Sequence, residues 1–308
     1  MTRRPRAAPG VGGAVDRTRL RGAAAVLGVS LPPGALDAFE AYAAEIVQWN
    51  ARLNLTRIVT PEGIAERHFA DALAGVPTLE CCLASIDGQQ DEPGPRPSPK
   101  EGRAAESAPA AAVRPTGPPR PRNDAPPGFA PGTPPTLIDV GSGAGLPGLA
   151  IAIARTHWRV ALLEATGKKR DFLARTIEAL RLANATALAA RAEDLGQSDG
   201  HRETYDVAVA RAVAALPTLV ELLLPLVRVG GCAVAWKGAD VDAECASASY
   251  AVAELGGRLE AVDAYEVPAD ERLAGSLVVV RKVRPTPDRY PRRPGRPAKR
   301  PLESREGR

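Results

Sequence analysis

No run of this 308-residue chain is apolar over the length of a bilayer crossing, which excludes a helical membrane span. The opening residues, MTRRPRAAPG, are basic and lack the apolar h-region of a signal peptide, so the expected compartment is the cytoplasm. Cysteine is scarce: Cys81, Cys82, Cys232 and Cys245 form no CxxC pair and lie near no histidine cluster. That usage argues against a metal site and for free thiols in a reducing compartment. His68, His157 and His201 stand in no recognisable catalytic context. What is present, 44% hydrophobic and 25% charged residues, is an ordinary folding composition, long enough for two compact domains.

The net charge of +4 hides an asymmetry. From Arg281 onward, eleven basic residues face only Asp288, Glu303 and Glu306, a local surplus of +8 that leaves the remainder at −4. A basic arm on a slightly acidic body suits a polyanionic partner, most simply nucleic acid. A solvated, proline-broken tail is the bland alternative.

The stretch that organises the chain is 136–148, TLIDVGSGAGLPG: a strand, three alternating glycines (Gly141, Gly143, Gly145), and a proline leading into an apolar helix. Such a turn brings backbone close to a ligand and leaves unpaired N–H groups, which suit a nucleotide-like or carboxylate-bearing molecule. Two registers compete. Gly143, Gly145 and Gly148 fit GxGxxG, the dinucleotide fingerprint. Gly141, Gly143 and Gly145 fit GxGxG, which resembles motif I of the S-adenosylmethionine-dependent methyltransferases. A fingerprint begins directly after its strand, at Gly141 here, so the second register is preferred; Asp139, just before the loop, looks like the same pattern.

In chain order, residues 1–14 are Arg/Pro/Gly-rich and expected to be disordered. Helical patterns follow at 15–27 and 33–53, the second aligning Leu36, Phe39, Tyr42, Ile46 and Trp49 on one face. A third helix starts at Thr60-Pro61, threonine as N-cap and proline at N1, and runs to about residue 76. Residues 15–84 thus read as a small helical domain. From 85 to 134, proline, alanine, glycine and charge displace large apolar residues. Such a segment cannot bury enough apolar surface to offset its ordering entropy and reads as a disordered insertion. Residues 135–284 then alternate strand and helix, with strands expected at 136–140, 159–163, 186–190, 205–210, 232–236, 258–265 and 277–283. Repeated βα units predict an α/β, doubly wound, mainly parallel sheet. Residues 285–308 form the basic tail.

Chemistry-bearing residues fall at strand ends. Glu164 follows the second strand, 25 residues after Asp139, placed to accept both ribose hydroxyls of an adenosine. Ala192-Glu193-Asp194 follow the third strand, where this fold meets an adenine edge. Arg211 ends the fourth strand on the carboxyl rim of the sheet; a ligand contact is preferred there over a structural salt bridge. Lys237, ending the fifth strand, invites the same reading. No Asn/Asp-Pro-Pro-aromatic motif follows the fourth strand, as exocyclic-amine methylation would require, and no Pro-Cys offers a nucleophile for pyrimidine C5. Guanine N7 needs neither, because its lone pair is free at neutral pH and the reaction asks for orientation rather than a general base.

Taken together, these blocks resemble the RsmG (GidB) family of bacterial small-subunit ribosomal RNA guanine-N7 methyltransferases. The resemblance rests on WNARLNLT (49–56), His68 with Asp71, IDVGSGAGLPG (138–148), GKKRDFL (167–173), RAED (191–194), ARAVA (210–214), WKG (236–238) and YPRRPGRPAKRPL (290–302). It implies a seven-stranded class I, Rossmann-like methyltransferase sheet. It also implies S-adenosylmethionine held by Gly141, Ser142, Gly143, Leu146, Glu164, Ala192, Glu193 and Arg211, with Arg211 at the catalytic centre. The implied substrate is a guanine in the 530 loop of 16S ribosomal RNA, free or in the small-subunit particle. Lys168, Lys169, Lys237, Arg292, Arg293, Lys299 and Arg300 are the expected RNA contacts, and the expected state is a monomer. Two features depart from the family: the 85–134 insertion exceeds its short linker, and Glu164 stands where it often has aspartate. An NAD-type dehydrogenase using GxGxxG and a non-catalytic ribosome-assembly factor are the competing readings.

Overall fold

The computed structural model describes residues 13–88, 133–268 and 273–303. Most of the expected N-terminal disorder (1–12) and of the insertion (89–132) lies outside them. The chain begins with α1 (Arg17–Val26) and α2 (Ala35–Leu53). It continues through α3 (Pro61–Gly63), a π-helical stretch (Ile64–Ala70) and α4 (Asp71–Leu73) to α5 (Val76–Gly88). Then come β1 (Thr136–Val140), α6 (Gly148–Ala154), β2 (Arg159–Leu163), α7 (Gly167–Ala179), β3 (Ala185–Leu188) and α8 (Ala192–Leu195). The remainder is β4 (Tyr205–Arg211), α9 (Leu216–Leu223), β5 (Val227–Lys237), α10 (Asp242–Glu254), β6 (Gly257–Glu266), β7 (Ala274–Lys282) and α11 (Arg296–Lys299). No described helix is long and apolar enough to cross a membrane.

The seven strands form one sheet in the order β3-β2-β1-β4-β5-β7-β6, parallel except for antiparallel β7. This is the class I methyltransferase arrangement. Strand order reverses between β1 and β4, so a crevice opens at their carboxyl ends. The glycine loop after β1 and Arg211 at the end of β4 flank that crevice.

Side chains alternate across the sheet with period two. Cys232, Val234 and Trp236 of β5 enter one core, and Ala233 and Ala235 the other; Leu277/Val279 and Val278/Val280 repeat the pattern on β7. Phe39, Tyr42, Ile46 and Phe69 from the helical N-terminal part are fully buried in the same core as Leu137, Val207 and Val279. The helical region is therefore continuous with the sheet, where a separate small domain was expected. The reason is coverage. A parallel sheet must be covered on both faces; α6 and α7 pack on β1–β3, and α5 covers β4 and β5 on the same side. Helix α5 was not anticipated, because Pro77 reads as the end of one element and its last residues merge into the polar insertion.

The tail differs most from expectation. Through residue 303 it is a folded strap across the face carrying α8, α9 and α10, with Thr286, Tyr290, Pro297 and Leu302 buried. Much of its charge is matched by carboxylates of the body. Arg281 bonds Glu260 at 2.5 Å, Lys282 meets Glu203 at 2.9 Å, Arg289 pairs with Glu254, and Arg292 bonds Glu221 at 2.6 Å. Burial lowers the Lys282 pKa to about 8. Four of the eleven basic residues from Arg281 onward are thus matched by carboxylates of the body. Arg293, Arg296, Lys299 and Arg300 remain exposed, with no ion pair among the described residues.

Candidate active site

The glycine loop is more self-contained than a bare turn. The Gly141 and Ser142 N–H groups both donate to the Leu163 carbonyl (2.8 and 3.1 Å), and those of Gly145 and Leu146 donate to Ser142 O (2.7 and 3.1 Å). Gly143 N–H donates to Glu164 Oε2 at 3.1 Å. The expected row of free N–H groups is therefore absent; from 141 to 146 only Ala144 N–H lacks a partner among the described residues. Cross-bonding to β2 rigidifies the loop and leaves recognition to side chains and shape.

Two carboxylates define the crevice wall. Glu164 spans the gap between strands by accepting from Gly143 N–H and, through Oε1, from Thr166 N–H at 2.7 Å. Asp139 is fully buried; its Oδ2 accepts from Gly148 N–H at 2.9 Å, while Oδ1 has no partner. Burial raises the Asp139 pKa to about 6, against the opposing pull of Gly148 and Ser142 hydrogen bonds.

The helical region touches the loop directly. The Tyr42 hydroxyl donates to the Ala144 carbonyl at 2.6 Å. Gly145 sits beneath it at φ +91°, where a Cβ would lie 2.7 Å from the Tyr42 oxygen and 2.5 Å from Leu149 Cδ1, so no other residue fits.

At the opposite wall one residue, Asp71, gathers three strand ends through its carboxylate and its backbone carbonyl. Asp71 Oδ2 accepts from Arg211 Nη1, and Oδ1 accepts from the Tyr265 hydroxyl at 2.6 Å. The Asp71 carbonyl takes the Trp236 indole N–H at 3.1 Å. Arg211 Nη1 also reaches the Arg67 and His68 carbonyls at 3.4 and 3.5 Å. Its Nη2 and Nε have no protein partner among the described residues, so donors remain for a ligand. The π-helical turn, in which Asp71 N–H donates to Glu66 O, delivers these groups to the rim. His68 Nε2 lies 2.9 Å from Thr56 Oγ1, and burial with the nearby Arg211 charge lowers its pKa to about 4. A neutral imidazole with so low a pKa is a poor base at neutral pH.

Other expected site residues scatter in their roles. Ser142 is buried and donates to Asp139 O at 2.9 Å; Leu146 and Ala192 are buried at the crevice end of the sheet. Glu193 accepts from Gly295 N–H at 2.8 Å, tying the strap to the segment after β3. Lys168 is exposed and Lys169 half-buried at the start of α7, both without an ion pair among the described residues. Two of the expected RNA contacts have carboxylate partners within the fold. Arg292 is committed to fully buried Glu221, and Lys237 to Glu244 (2.7 Å) and the Ala214 carbonyl (2.8 Å). Both charges are neutralised inside the fold. Sequence reasoning missed Tyr42 and Tyr265, since a tyrosine in an apolar stripe or on a strand carries no local signal of its distant partner. Asp71 was legible only as part of a family block.

The GidB family model, described as rRNA small subunit methyltransferase G, matches residues 129–272. The ribosomal RNA small subunit methyltransferase G of Roseiflexus sp. (strain RS-1) is 40% identical over 275 residues, 89% of this chain and 95% of its own. Its counterpart from Bacillus subtilis (strain 168) is 33% identical over 276 residues, 90% and 94% of the two chains. The chain belongs to this methyltransferase family. It is a ribosomal RNA methyltransferase, and its methyl donor is S-adenosylmethionine. The dehydrogenase reading of GxGxxG is set aside: the register beginning at Gly141 is the meaningful one.

Proposed function

We propose that this methyltransferase modifies N7 of a guanine in the 530 loop of 16S ribosomal RNA, acting as a monomer on the RNA or the small-subunit particle. One observation carries the reading: the crevice rim presents Arg211, a cation with spare donors, and the two groups beside it that could act as bases, Asp71 and His68, are unsuited to the task. Asp71 is occupied by Arg211 and Tyr265, and His68 is held near pKa 4. When bound, S-adenosylmethionine supplies an electrophilic methyl group, and guanine N7 brings a lone pair that needs no deprotonation. The protein's task is then orientation. Arg211 does this with its unused N–H groups, and its neighbours on the rim hold it in place. The cations Lys168, Lys169, Arg293, Arg296, Lys299 and Arg300, none ion-paired among the described residues, supply phosphate contacts.

The residues fit the cofactor. Asp139 Oδ1, buried without a partner, suits a cationic donor such as its ammonium group, and the Glu164 carboxylate keeps lone pairs for ribose hydroxyls. Gly141, Ser142, Gly143, Leu146, Ala192 and Glu193 complete the cradle.

The deciding experiment maps N7-methylguanosine in ribosomal RNA by chemical cleavage, after deletion and complementation of the gene. Loss of one 530-loop modification and its return on complementation are expected; an unchanged map would overturn the proposal.

Two further outcomes follow from the cradle. At Gly143 (φ +56°) a Cβ would meet nothing nearer than Gly141 O at 3.8 Å, so a side chain projects into open space above the loop. Gly143→Val is expected to weaken cofactor binding at least tenfold by calorimetry, with backbone strain of about 1–3 kcal/mol leaving the fold intact. Affinity within a few-fold of wild type would remove Gly143 from the cradle.

The second concerns pH. A folded pKa raised to about 6 means that the Asp139 contribution to stability is complete below its unfolded value and lost as pH rises through 6. A cation binding the ionised form shows the opposite trend: affinity climbs with pH and levels off above 6. Cofactor Kd is expected to be about tenfold weaker at pH 5 than at pH 7, and Asp139→Asn should abolish the dependence. A flat profile across this range would show that Asp139 does not meet the cofactor's charge.

A further inference from the structure

Two adjoining hollows of about 550 and 520 Å³ lie between α2 and α7, sharing Trp49, Arg52 and Arg175 as walls. Trp49 is half-buried: its ring rests edge-on against Phe172 of α7 at 6.0 Å between centroids, and its indole N–H donates to Glu45 at 3.2 Å. The remaining ring surface faces the groove. The Arg175 guanidinium lies 6.0 Å from the ring centroid, at the outer limit of cation–π contact.

The charges around this ring are not matched in pairs. Exposed Arg52, Lys168 and Arg175 have no ion pair among the described residues. Of the acidic walls, Glu45 is engaged with Trp49, and Asp171 pairs with Arg170 at 3.1 Å, leaving Glu178. An aromatic face framed by three cations with no ion pair among the described residues is the composition that binds single-stranded nucleic acid, a base on the ring and phosphates on the cations.

Position agrees with composition. Helix α7 starts three residues after Glu164, so the Lys168 end of the groove lies at the same end of the sheet as the glycine loop. On α2, Trp49 lies seven residues beyond Tyr42, the residue that touches that loop; the separation is about 10 Å along the helix axis.

We propose that the groove between α2 and α7 is a nucleotide subsite for the RNA substrate, where a base neighbouring the methylated residue stacks on Trp49 and its phosphates meet Arg52, Lys168 and Arg175. The placement relative to the target rests on the crevice as the methyl-transfer centre.

The test uses intrinsic fluorescence of the full-length protein. Trp158 and Trp236 are 3% exposed, so Trp49 is the accessible indole. Titration with an unmodified 16S ribosomal RNA transcript should quench its emission, and the response should vanish in Trp49→Phe. Inorganic polyphosphate, a polyanion without bases, should bind without quenching. Trp49→Leu keeps apolar packing on Phe172 but offers no π face. It should raise KM for RNA about tenfold while leaving kcat at saturating RNA and cofactor affinity within about twofold of wild type.

Should Trp49→Leu fold poorly, the surface pair Arg52→Gln/Arg175→Gln serves instead, with the salt dependence of RNA binding expected to flatten by one to two released counterions. RNA binding with unchanged emission, equal quenching by polyphosphate, or an unchanged salt slope in the double variant would overturn the subsite. Failure of the crevice reading shows elsewhere, as undiminished turnover in Arg211→Ala.

Discussion

Arg211→Ala is expected to lower single-turnover methyl transfer about a hundredfold at saturating RNA and cofactor. A misplacement of about 1 Å costs that much when catalysis is mostly orientation. Because the lost contact is to the reacting group, added RNA does not restore the rate. Asp71→Asn should reproduce most of the defect. The amide can still accept the Tyr265 hydroxyl, but it offers no negative charge to the guanidinium beside it. If Asp71 acts by holding Arg211, adding Asp71→Asn to Arg211→Ala changes little further, a non-additivity that separates positioning from general loss of structure. Tyr265→Phe, which removes only the other half of the bracket, should cost far less. Recovery of Arg211→Ala at saturating concentrations would make it a binding residue, and fully additive effects would detach Asp71 from its role.

Arg292→Ala is expected to act on stability rather than on RNA affinity, destabilising the protein by about 3–5 kcal/mol. Glu221 is fully buried; Arg292 donates to it from its backbone N–H (2.8 Å) and from both Nε and Nη2, and gives a further bond to the Arg300 carbonyl. Removing the arginine strands a buried carboxylate. Replacing both partners together by leucine should cost less than the single change, since no uncompensated charge remains. Neutralising Arg293, Lys299 and Arg300 has the opposite profile: a near-native urea midpoint, weaker RNA binding and a flatter salt dependence. A wild-type midpoint for Arg292→Ala would show the strap to be loosely held.

How far each feature could be read in advance depends on how local its cause is. The strand, glycine turn and helix of 136–148 follow from neighbouring residues: a short, mostly apolar run makes a strand buried on both faces, and glycine permits the positive φ at 141, 143 and 145. Strand spacing around connecting helices was enough to predict a mainly parallel, doubly wound sheet. Asp139, Glu164 and Arg211 could be placed at the carboxyl end of the sheet because each lies at, or within one residue of, the end of its strand. Two cations have carboxylate partners that their local sequence does not announce. Lys237 and Arg292 read as free charges, since nothing in the local pattern points to Glu244 or to Glu221, the latter 71 residues away from its partner. Asp71 and Arg211 are separated by 140 residues, and Asp71 and Tyr265 by 194. Which cation meets substrate and which one buttons down the fold depends on packing of the α5 layer and the strap onto opposite faces of the sheet. A charge is neutralised by whatever lies a few ångströms away, and residues distant along the chain are brought to that distance only by tertiary packing.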